Sequence, residues 1–177
     1  MISLRRVLVM GPPGSGKSTL ARRLGAKAGL PVVHLDQHYW QSGWVANPRE
    51  VLADAVARTV EADRWVIDGN YTATLTPRLA RADTVIYLDC PAMVSLWRVL
   101  RRAISQIGTV RSDMPEGCPE RLDIGFFWFA LNWNRRNRAR NLALLEGFAG
   151  TVIVLPSARQ VARFEEGVAG PAAVPPE

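Results

Sequence analysis

The segment 11–18, with the sequence GPPGSGKS, constrains this chain more than any other feature. It matches the pattern G-x-x-x-x-G-K-[S/T], in which glycines let successive backbone N–H groups turn inward around an anion. An apolar run at 5–10 precedes it, and Leu20, Leu24 and Ala28 recur at every fourth position after it. A buried strand, a glycine loop and a helix in this order favour a phosphate-binding P-loop over an ordinary glycine-rich turn.

The side chains at the end of this loop suit a nucleoside triphosphate. Lys17 would place a positive charge on the β- and γ-phosphates, and the Ser18 hydroxyl would bind Mg²⁺. The N-terminus of the following helix adds positive potential. We therefore predict that ATP and Mg²⁺ are the cofactors, and that the cofactor-binding residues are Gly11, Pro12, Pro13, Gly14, Ser15, Gly16, Lys17, Ser18 and Thr19.

The rest of the chain alternates apolar runs with amphipathic segments. Strands are predicted at 5–10, 31–36, 65–68, 84–89 and 151–155, and helices are predicted to begin near 17, 47, 76, 91 and 123. This alternation predicts an α/β fold with a parallel sheet covered on both faces. We expect one domain over 1–170, a lid at about 108–125 and a flexible tail at 171–177.

The charge balance is basic but does not select one partner. The net charge of +6 rests on 22 basic residues, of which only Lys17 and Lys27 are lysines. Arginine suits forked contacts to phosphate, whether in a nucleotide or in a nucleic acid. Cys90 and Cys118 lack the spacing of a zinc site, so reduced thiols and a cytoplasmic location are expected. No apolar run is long enough to predict a membrane span or a signal peptide.

Six short elements of the sequence carry a resemblance to known proteins. They are GPPGSGKST at 11–19, HLD-x-x-YW with a further Trp at 34–44, DGNY at 68–71, RAD at 81–83, WR at 97–98 and CPER at 118–121. With them, residues 5–160 resemble the adenylate-kinase-like branch of P-loop proteins, and most closely the DNA topology modulation protein family.

The resemblance has consequences for fold and chemistry. It implies a three-layer α/β/α P-loop NTPase fold with a five-stranded parallel sheet in the order 2-3-1-4-5 and an arginine-containing lid. It also implies a kinase-like phosphotransferase. Fold kinship is analogy, so the acceptor remains open.

Two aspartates follow predicted strands at the edge where open α/β sheets bind ligands. Asp36 would orient an acceptor hydroxyl and take its proton, and the alternative is a helix cap or a surface aspartate. Asp68 would hold Mg²⁺ with Ser18, and the alternative is a turn-forming Asp-Gly pair. Asp89 is a weaker metal candidate.

The arginines supply candidates for phosphate binding. By the resemblance, Arg98 would lie against the adenine and Arg102 would reach a phosphate, whereas a solvated basic face is the alternative. On the helix predicted from 123 to 145, Arg135 and Arg138 are i+3 neighbours, as Arg136 and Arg140 are i+4 neighbours. Either pair can face the site. The catalytic candidates are Lys17, Asp36, Arg102, Arg135 and Arg138.

Aromatic residues form two groups. Tyr39, Trp40 and Trp44 wall a substrate pocket or pack over the core. The second group is predicted to pack a helix into the core, with only its last member a site neighbour: Phe126, Phe127, Trp128, Phe129 and Trp133. His34 is expected to be a hydrogen-bonded histidine in the core or at the edge of the sheet.

Three functions are compatible with these features. The leading prediction is an ATP-dependent phosphotransferase acting on a small molecule that is nucleotide-like or hydroxyl-bearing. The alternatives are a nucleotide-regulated DNA-binding or topology modulation protein and a simple NTPase. No helix-turn-helix, RNP or zinc-finger pattern supports nucleic-acid binding. The sequence does not indicate an oligomeric state.

Overall fold

A computed structural model describes residues 2–170 of the chain. In chain order its elements are β1 (Arg6–Met10), α1 (Lys17–Ala28), β2 (Val32–His34), α2 (Leu35–Tyr39), β3 (Trp40–Gln41), β4 (Val45–Ala46), α3 (Arg49–Glu61), β5 (Trp65–Asp68), a 3₁₀ turn (Thr72–Thr74), α4 (Leu75–Arg81), β6 (Thr84–Leu88), α5 (Ala92–Ser105), α6 (Ile124–Trp133), a π-helical segment (Asn134–Arg138), α7 (Ala139–Glu146), β7 (Thr151–Leu155) and α8 (Ala158–Gly167). The predicted tail at 171–177 lies outside the described residues.

Five of the strands form a parallel sheet in the order β2-β5-β1-β6-β7. Counted along the chain as strands 1 to 5, this order is 2-3-1-4-5, so the predicted topology is confirmed. The strands at 65–68 and 151–155 have the predicted bounds. Across residues 2–170, the helices are all too short or too polar to span a membrane.

Both faces of the sheet are buried, because side chains of a strand alternate between the two faces. Val7 and Val9 of β1 belong to one apolar cluster, together with residues of α1 and α8. Leu8 and Met10 belong to the other cluster, with residues of α3, α4 and α7. The fold is therefore the predicted three-layer α/β/α arrangement.

Polar groups gather at the carboxyl ends of the central strands. The end of β1 leads directly into Gly11, and the pairing register aligns Val9 with Asp68 of β5. Asp68 is also aligned with His34 of β2. The sheet thus brings the P-loop, His34 and Asp68 to one edge.

The strand predicted at 31–36 is longer than the strand in the structure. β2 ends at His34, and Asp36 lies in the first turn of α2 instead of at a strand end. The segment after α2, predicted as a loop, contains an antiparallel hairpin in which Trp40 pairs with Ala46. Its turn uses positive φ at Gly43 (78°) and Trp44 (64°). A short strand running into a short helix keeps the same apolar pattern, which is why the boundary was misplaced.

The aromatic helix does not pack into the core as predicted. Of the five aromatic side chains assigned to the core, only Trp133 is buried, at 3% exposure. Phe126, Trp128 and Phe129 are exposed by 38%, 62% and 45%. The reason is that α6 packs against α5 rather than on the sheet.

Candidate active site

Close packing determines the shape of the P-loop. Gly11, Gly14 and Gly16 have φ of 144°, 72° and 97°, a region that side chains disfavour. A Cβ on Gly11 would lie 2.5 Å from the Leu88 carbonyl oxygen, and one on Gly14 would lie 2.6 Å from that of Ser95. The loop can therefore approach β6 and α5 only because these positions are glycine.

Asn70 joins the P-loop to the turn after β5. Its Oδ1 accepts a hydrogen bond from the Gly11 N–H at 3.1 Å, and its Nδ2 donates to the Gly11 carbonyl at 2.8 Å. Both hydrogen-bonding groups of the first P-loop glycine are thus satisfied by one side chain. Asn70 belongs to the DGNY motif, but the motif does not predict this contact.

Arg78 stabilises the same turn through hydrogen bonds to its backbone. It was not predicted as a site residue. It is completely buried. Its guanidinium donates to the carbonyl oxygens of Gly69 (2.9 Å), Tyr71 (2.8 Å) and Thr74 (3.0 Å). Burial lowers the pKa of Arg78 to about 10, so it stays charged near neutral pH. In an arginine-rich chain, the sequence does not distinguish a buried arginine such as Arg78 from the exposed ones.

Lys17, Asp36 and Asp68 line one cavity. The Lys17 Nζ donates to the Pro12 carbonyl at 2.9 Å. Burial lowers the pKa of Lys17, and the nearby carboxylates of Asp68 and Asp36 oppose that shift. Burial raises the pKa of Asp36, although the hydrogen bond from the Tyr71 hydroxyl (2.5 Å) acts in the opposite direction.

The Mg²⁺ candidates Ser18 and Asp68 both face this cavity. Asp68 Oδ1 is 2.5 Å from His34 Nδ1, and the Ser18 hydroxyl is close enough to Asp113 to lower the pKa of that carboxyl. Mg²⁺ in nucleotide sites commonly takes one or two protein oxygens together with phosphate oxygens and waters. A hydroxyl and a carboxylate at one edge fit that chemistry. Among residues 2–170, no three His, Cys, Asp or Glu side chains are grouped as a metal site.

The cavity has a volume of about 1100 Å³ and extends well beyond the P-loop. Of the predicted cofactor-binding residues, Pro13, Gly14, Gly16, Lys17, Ser18 and Thr19 line it, whereas Gly11, Pro12 and Ser15 lie behind them. Aromatic side chains from the end of α2, the hairpin, the turn after β5 and α6 also line it: Tyr39, Trp40, Trp44, Tyr71, Phe126, Phe129 and Trp133. Ligand-binding pockets commonly have volumes of about 300–1,000 Å³, so this cavity lies at the upper end of that range.

The lid brings carboxylates as well as arginines to the cavity. Glu120 Oε1 forms ion pairs with Arg102 Nε (3.1 Å) and Arg111 Nη1 (3.0 Å), and Arg111 Nε also pairs with Asp113 Oδ1 (3.1 Å). Burial would raise the pKa of Asp113, but Arg111 and Ser18 outweigh it and the pKa lies below its ordinary value. Asp113 and Glu120 were not predicted as site residues.

The other predicted arginines lie outside the cavity. Arg98 Nη1 donates to the Ser15 carbonyl at 3.4 Å, behind the P-loop. Arg138 makes two hydrogen bonds of 2.7 Å to Asp89, and Arg135 is exposed. The π-helical turn rotates the following residues relative to an α-helix, so that Asn137, Arg140 and Asn141 face the cavity. The catalytic roles of Arg135 and Arg138 stay predictions.

The part of the chain that contains the P-loop matches a known protein family. The profile of the family AAA_18, described as AAA domain, matches residues 7–113. The chain belongs to this family. The matched region runs from β1 through the P-loop and the central sheet into the lid.

Similar proteins include kinases. Over 80 residues the chain is 32% identical to the adenylate kinase of Clavibacter michiganensis subsp. michiganensis, a match over 45% of this chain and 38% of that protein. Over 54 residues it is 37% identical to threonine synthase-like 1 of Mus musculus, over 30% of this chain and 7% of that protein. The chain therefore spans well under two thirds of either relative.

A crystal structure has the same fold. It is that of a candidate kinase from Chloroflexus aurantiacus, with a TM-score of 0.56, 16% identity and coverage of 93% of this chain and 96% of the other. These matches confirm a kinase-like P-loop domain. The narrower resemblance to DNA topology modulation proteins stays a prediction.

Proposed function

We propose that this protein transfers the γ-phosphoryl group of ATP, with Mg²⁺, to a small-molecule acceptor. The observation that carries the proposal is that Lys17, Asp36 and a group of aromatic side chains line one and the same cavity. A simple NTPase needs a site for the nucleotide and one water, whereas the aromatic side chains give this cavity a further surface for a second molecule. The identity to an adenylate kinase supports the same reaction class.

The residues divide into donor and acceptor groups. Lys17 and the backbone of the P-loop would bind the phosphates, while Ser18 and Asp68 would hold Mg²⁺, which neutralises phosphate charge. Asp36 would accept the proton of the acceptor hydroxyl. As the bond from the γ-phosphorus to the bridging oxygen breaks, Arg102 would stabilise charge on the transferred group. Arg102 and Arg111 line the cavity, so they are better supported in this role than Arg135 and Arg138.

The test compares two lysines on one helix. Lys17→Ala removes the charge expected at the β- and γ-phosphates, and we expect it to weaken ATP binding at least about tenfold. Lys27→Ala is the matched control, because Lys27 hydrogen-bonds to the backbone of α8 and lies far along α1. Isothermal titration calorimetry with ATP and Mg²⁺ measures both. Equal affinity in the wild type and Lys17→Ala would contradict the assignment of the P-loop.

Transfer itself is tested with a panel of acceptors. Alcohols, phosphate monoesters and a reaction without acceptor are incubated with ATP and Mg²⁺, and phosphorylated products are detected by mass spectrometry. The proposal expects at least one product that is absent with Lys17→Ala. ATP hydrolysis that no acceptor stimulates would favour the NTPase.

A further inference from the structure

Two groups of aromatic side chains, here called the aromatic walls, line the cavity. In the first, the ring centroids of Tyr39 and Trp40 are 4.8 Å apart, and those of Trp40 and Trp44 are 5.5 Å apart. In the second, α6 contributes Phe126 and Phe129, whose centroids are 6.2 Å apart. The walls come from elements far apart in the sequence, so the arrangement is specific to the fold.

The phenylalanine rings of α6 are the informative part. Phe126 and Phe129 line the cavity and are 38% and 45% exposed. An exposed apolar surface inside a concave site is typical of a surface that a ligand covers. Aromatic rings bind flat rings well, by stacking or edge contacts. The walls therefore favour a planar, ring-bearing ligand over a flexible or fully polar one.

The cavity also carries positive charge. Arg140 lines it with an exposed side chain, and its Nη2 donates to Asn137 Oδ1 at 2.9 Å. Within residues 2–170, no carboxylate is in ion-pair range of Arg140. Arg121 lines the same region, although it pairs with Asp123 at 3.2 Å and lies 5.5 Å above the Trp44 ring. A guanidinium without an acidic partner in a cavity favours a ligand with a carboxylate or phosphate.

The end nearest the P-loop has the opposite character. Asp36 and Asp68 both line it, and Asp36 Oδ1 accepts the hydrogen bond of the Tyr71 hydroxyl. An anionic acceptor group would be repelled by these carboxylates, whereas a neutral hydroxyl could donate a hydrogen bond to Asp36. The acceptor group next to the P-loop should therefore be a hydroxyl and not a phosphate.

We infer that the phosphoryl acceptor is a planar ring compound with a hydroxyl directed to Asp36 and a negatively charged group directed to Arg140. The inference rests on the proposed phosphotransferase. The hydroxyl oxygen forms a bond to the γ-phosphorus while the bond to the β–γ bridging oxygen breaks. The hydroxyl proton passes to the Asp36 carboxylate, and ADP is the leaving group.

Probes that differ in one property each test the inference. The reference is 4-(hydroxymethyl)benzoate. Its comparators are the corresponding benzamide, which is neutral, trans-4-(hydroxymethyl)cyclohexane-1-carboxylate, which is not planar, and 4-methylbenzoate, which has no hydroxyl. A further probe, 4-(hydroxymethyl)phenyl phosphate, carries a phosphate in place of the carboxylate. Its binding shows whether the site prefers a phosphate or a carboxylate. AMP represents a phosphate acceptor. Binding is measured by tryptophan fluorescence, and transfer by mass spectrometry.

We expect at least one planar acid with a hydroxyl to bind about tenfold or more tightly than the neutral and the non-planar probes, and to be phosphorylated. Arg140→Gln should remove the preference for the acid, whereas Arg136→Gln, an exposed neighbour outside the cavity, should not. Phe129→Ala should weaken binding of the planar probes, whereas Trp128→Ala should not.

The inference is overturned if no planar acid binds saturably, if the non-planar probe binds as tightly, or if AMP is the preferred acceptor. Its failure can be told apart from that of the proposed function. Transfer to AMP or to the non-planar probe leaves a phosphotransferase with another acceptor. If calorimetry shows the same ATP affinity for the wild type and Lys17→Ala, the proposed phosphotransferase itself is contradicted.

Discussion

At the scale of single residues, Asp36 connects the donor and acceptor ends of the cavity. It is held by the Tyr71 hydroxyl and lines the same space as Lys17. Asp36→Asn keeps the size and one hydrogen-bond acceptor but cannot take a proton. We expect phosphoryl transfer to fall about 10²-fold or more, with ATP affinity nearly unchanged. Steady-state kinetics and calorimetry on the same preparation measure the two effects.

The control for this prediction is another aspartate. Asp54→Asn, at an exposed position of α3, makes the same chemical change away from the cavity and should leave transfer unchanged. Wild-type kinetics in Asp36→Asn would assign Asp36 a structural role at the start of α2.

Residues of the site differ in how far the sequence could predict them. The position of Lys17 and Ser18 in a P-loop was predictable because the loop is a contiguous motif whose geometry is local. Asn70 contacts Gly11 across 59 positions, and Glu120 joins arginines from α5 and the lid. Such contacts depend on the tertiary fold. From the sequence alone, an Asn or a Glu in a loop looks the same whether it makes a tertiary contact or is solvated.

At the scale of elements, the lid and the β3–β4 hairpin form one contact region. The Gly43 N–H donates to the Gly117 carbonyl at 2.8 Å, and Trp44 Nε1 donates to the Pro119 carbonyl at 3.0 Å. A Cβ on Gly117 would lie 2.0 Å from Ser42 Oγ, so this contact requires glycine. The lid therefore positions the hairpin that supplies one aromatic wall.

Glu120 is the residue through which the lid acts on the arginines. Glu120→Gln removes the charge that pairs with Arg102 and Arg111. Because a misplaced stabilising group can cost up to about 100-fold in rate, we expect kcat to fall about tenfold or more, with a smaller change in the KM for the acceptor. Initial rates at varied ATP and acceptor separate the two parameters.

Glu116→Gln is the matched control, since Glu116 is an exposed glutamate of the same loop. A lower melting temperature for Glu120→Gln with an unchanged kcat would mean that Glu120 only stabilises the lid. Recovery of kcat in Glu120→Asp would support a positioning role, because the negative charge is restored.

Element boundaries were predictable where an apolar run is followed directly by residues typical of a turn. The strands at 65–68 and 151–155 are bounded by polar or glycine-containing segments. The β2–α2 boundary was not predictable, because Leu35 is buried in the helix as it would be in a longer strand. The π-helical segment was not predictable either, and it decides which arginines of the helix face the cavity.

At the scale of the whole molecule, the net charge of +6 is divided between internal and exposed arginines. Arg78 is buried against backbone carbonyls, and Arg102 and Arg111 are paired with lid carboxylates. Arg135 and Arg136 are exposed on the helix that follows the lid. Part of the basic character thus belongs to the interior of the site and is not available to a nucleic acid.

This division gives a prediction that separates a phosphotransferase from a DNA-binding protein. Single alanine substitutions are made at six positions in and after the lid: Arg111, Arg121, Arg135, Arg136, Arg138 and Arg140. Arg111→Ala should lower ATP-dependent turnover by about 10²-fold or more, because it removes a charge beside the phosphates. Arg140→Ala should raise the KM for the acceptor. Arg135→Ala and Arg136→Ala should have nearly wild-type turnover.

A DNA-binding surface would give another pattern with the same six variants. Its phosphate contacts would be shared, so each loss would weaken binding modestly and reduce the dependence of log affinity on log salt by about one unit. Turnover and affinity for duplex DNA at several salt concentrations are therefore measured on every variant. The phosphotransferase predicts that alanine variants of the partly buried, paired Arg111 and of the exposed Arg136 differ strongly in turnover. Similar salt-dependent losses of DNA affinity at all six positions, with turnover unchanged, would contradict it and favour a basic surface that binds nucleic acid.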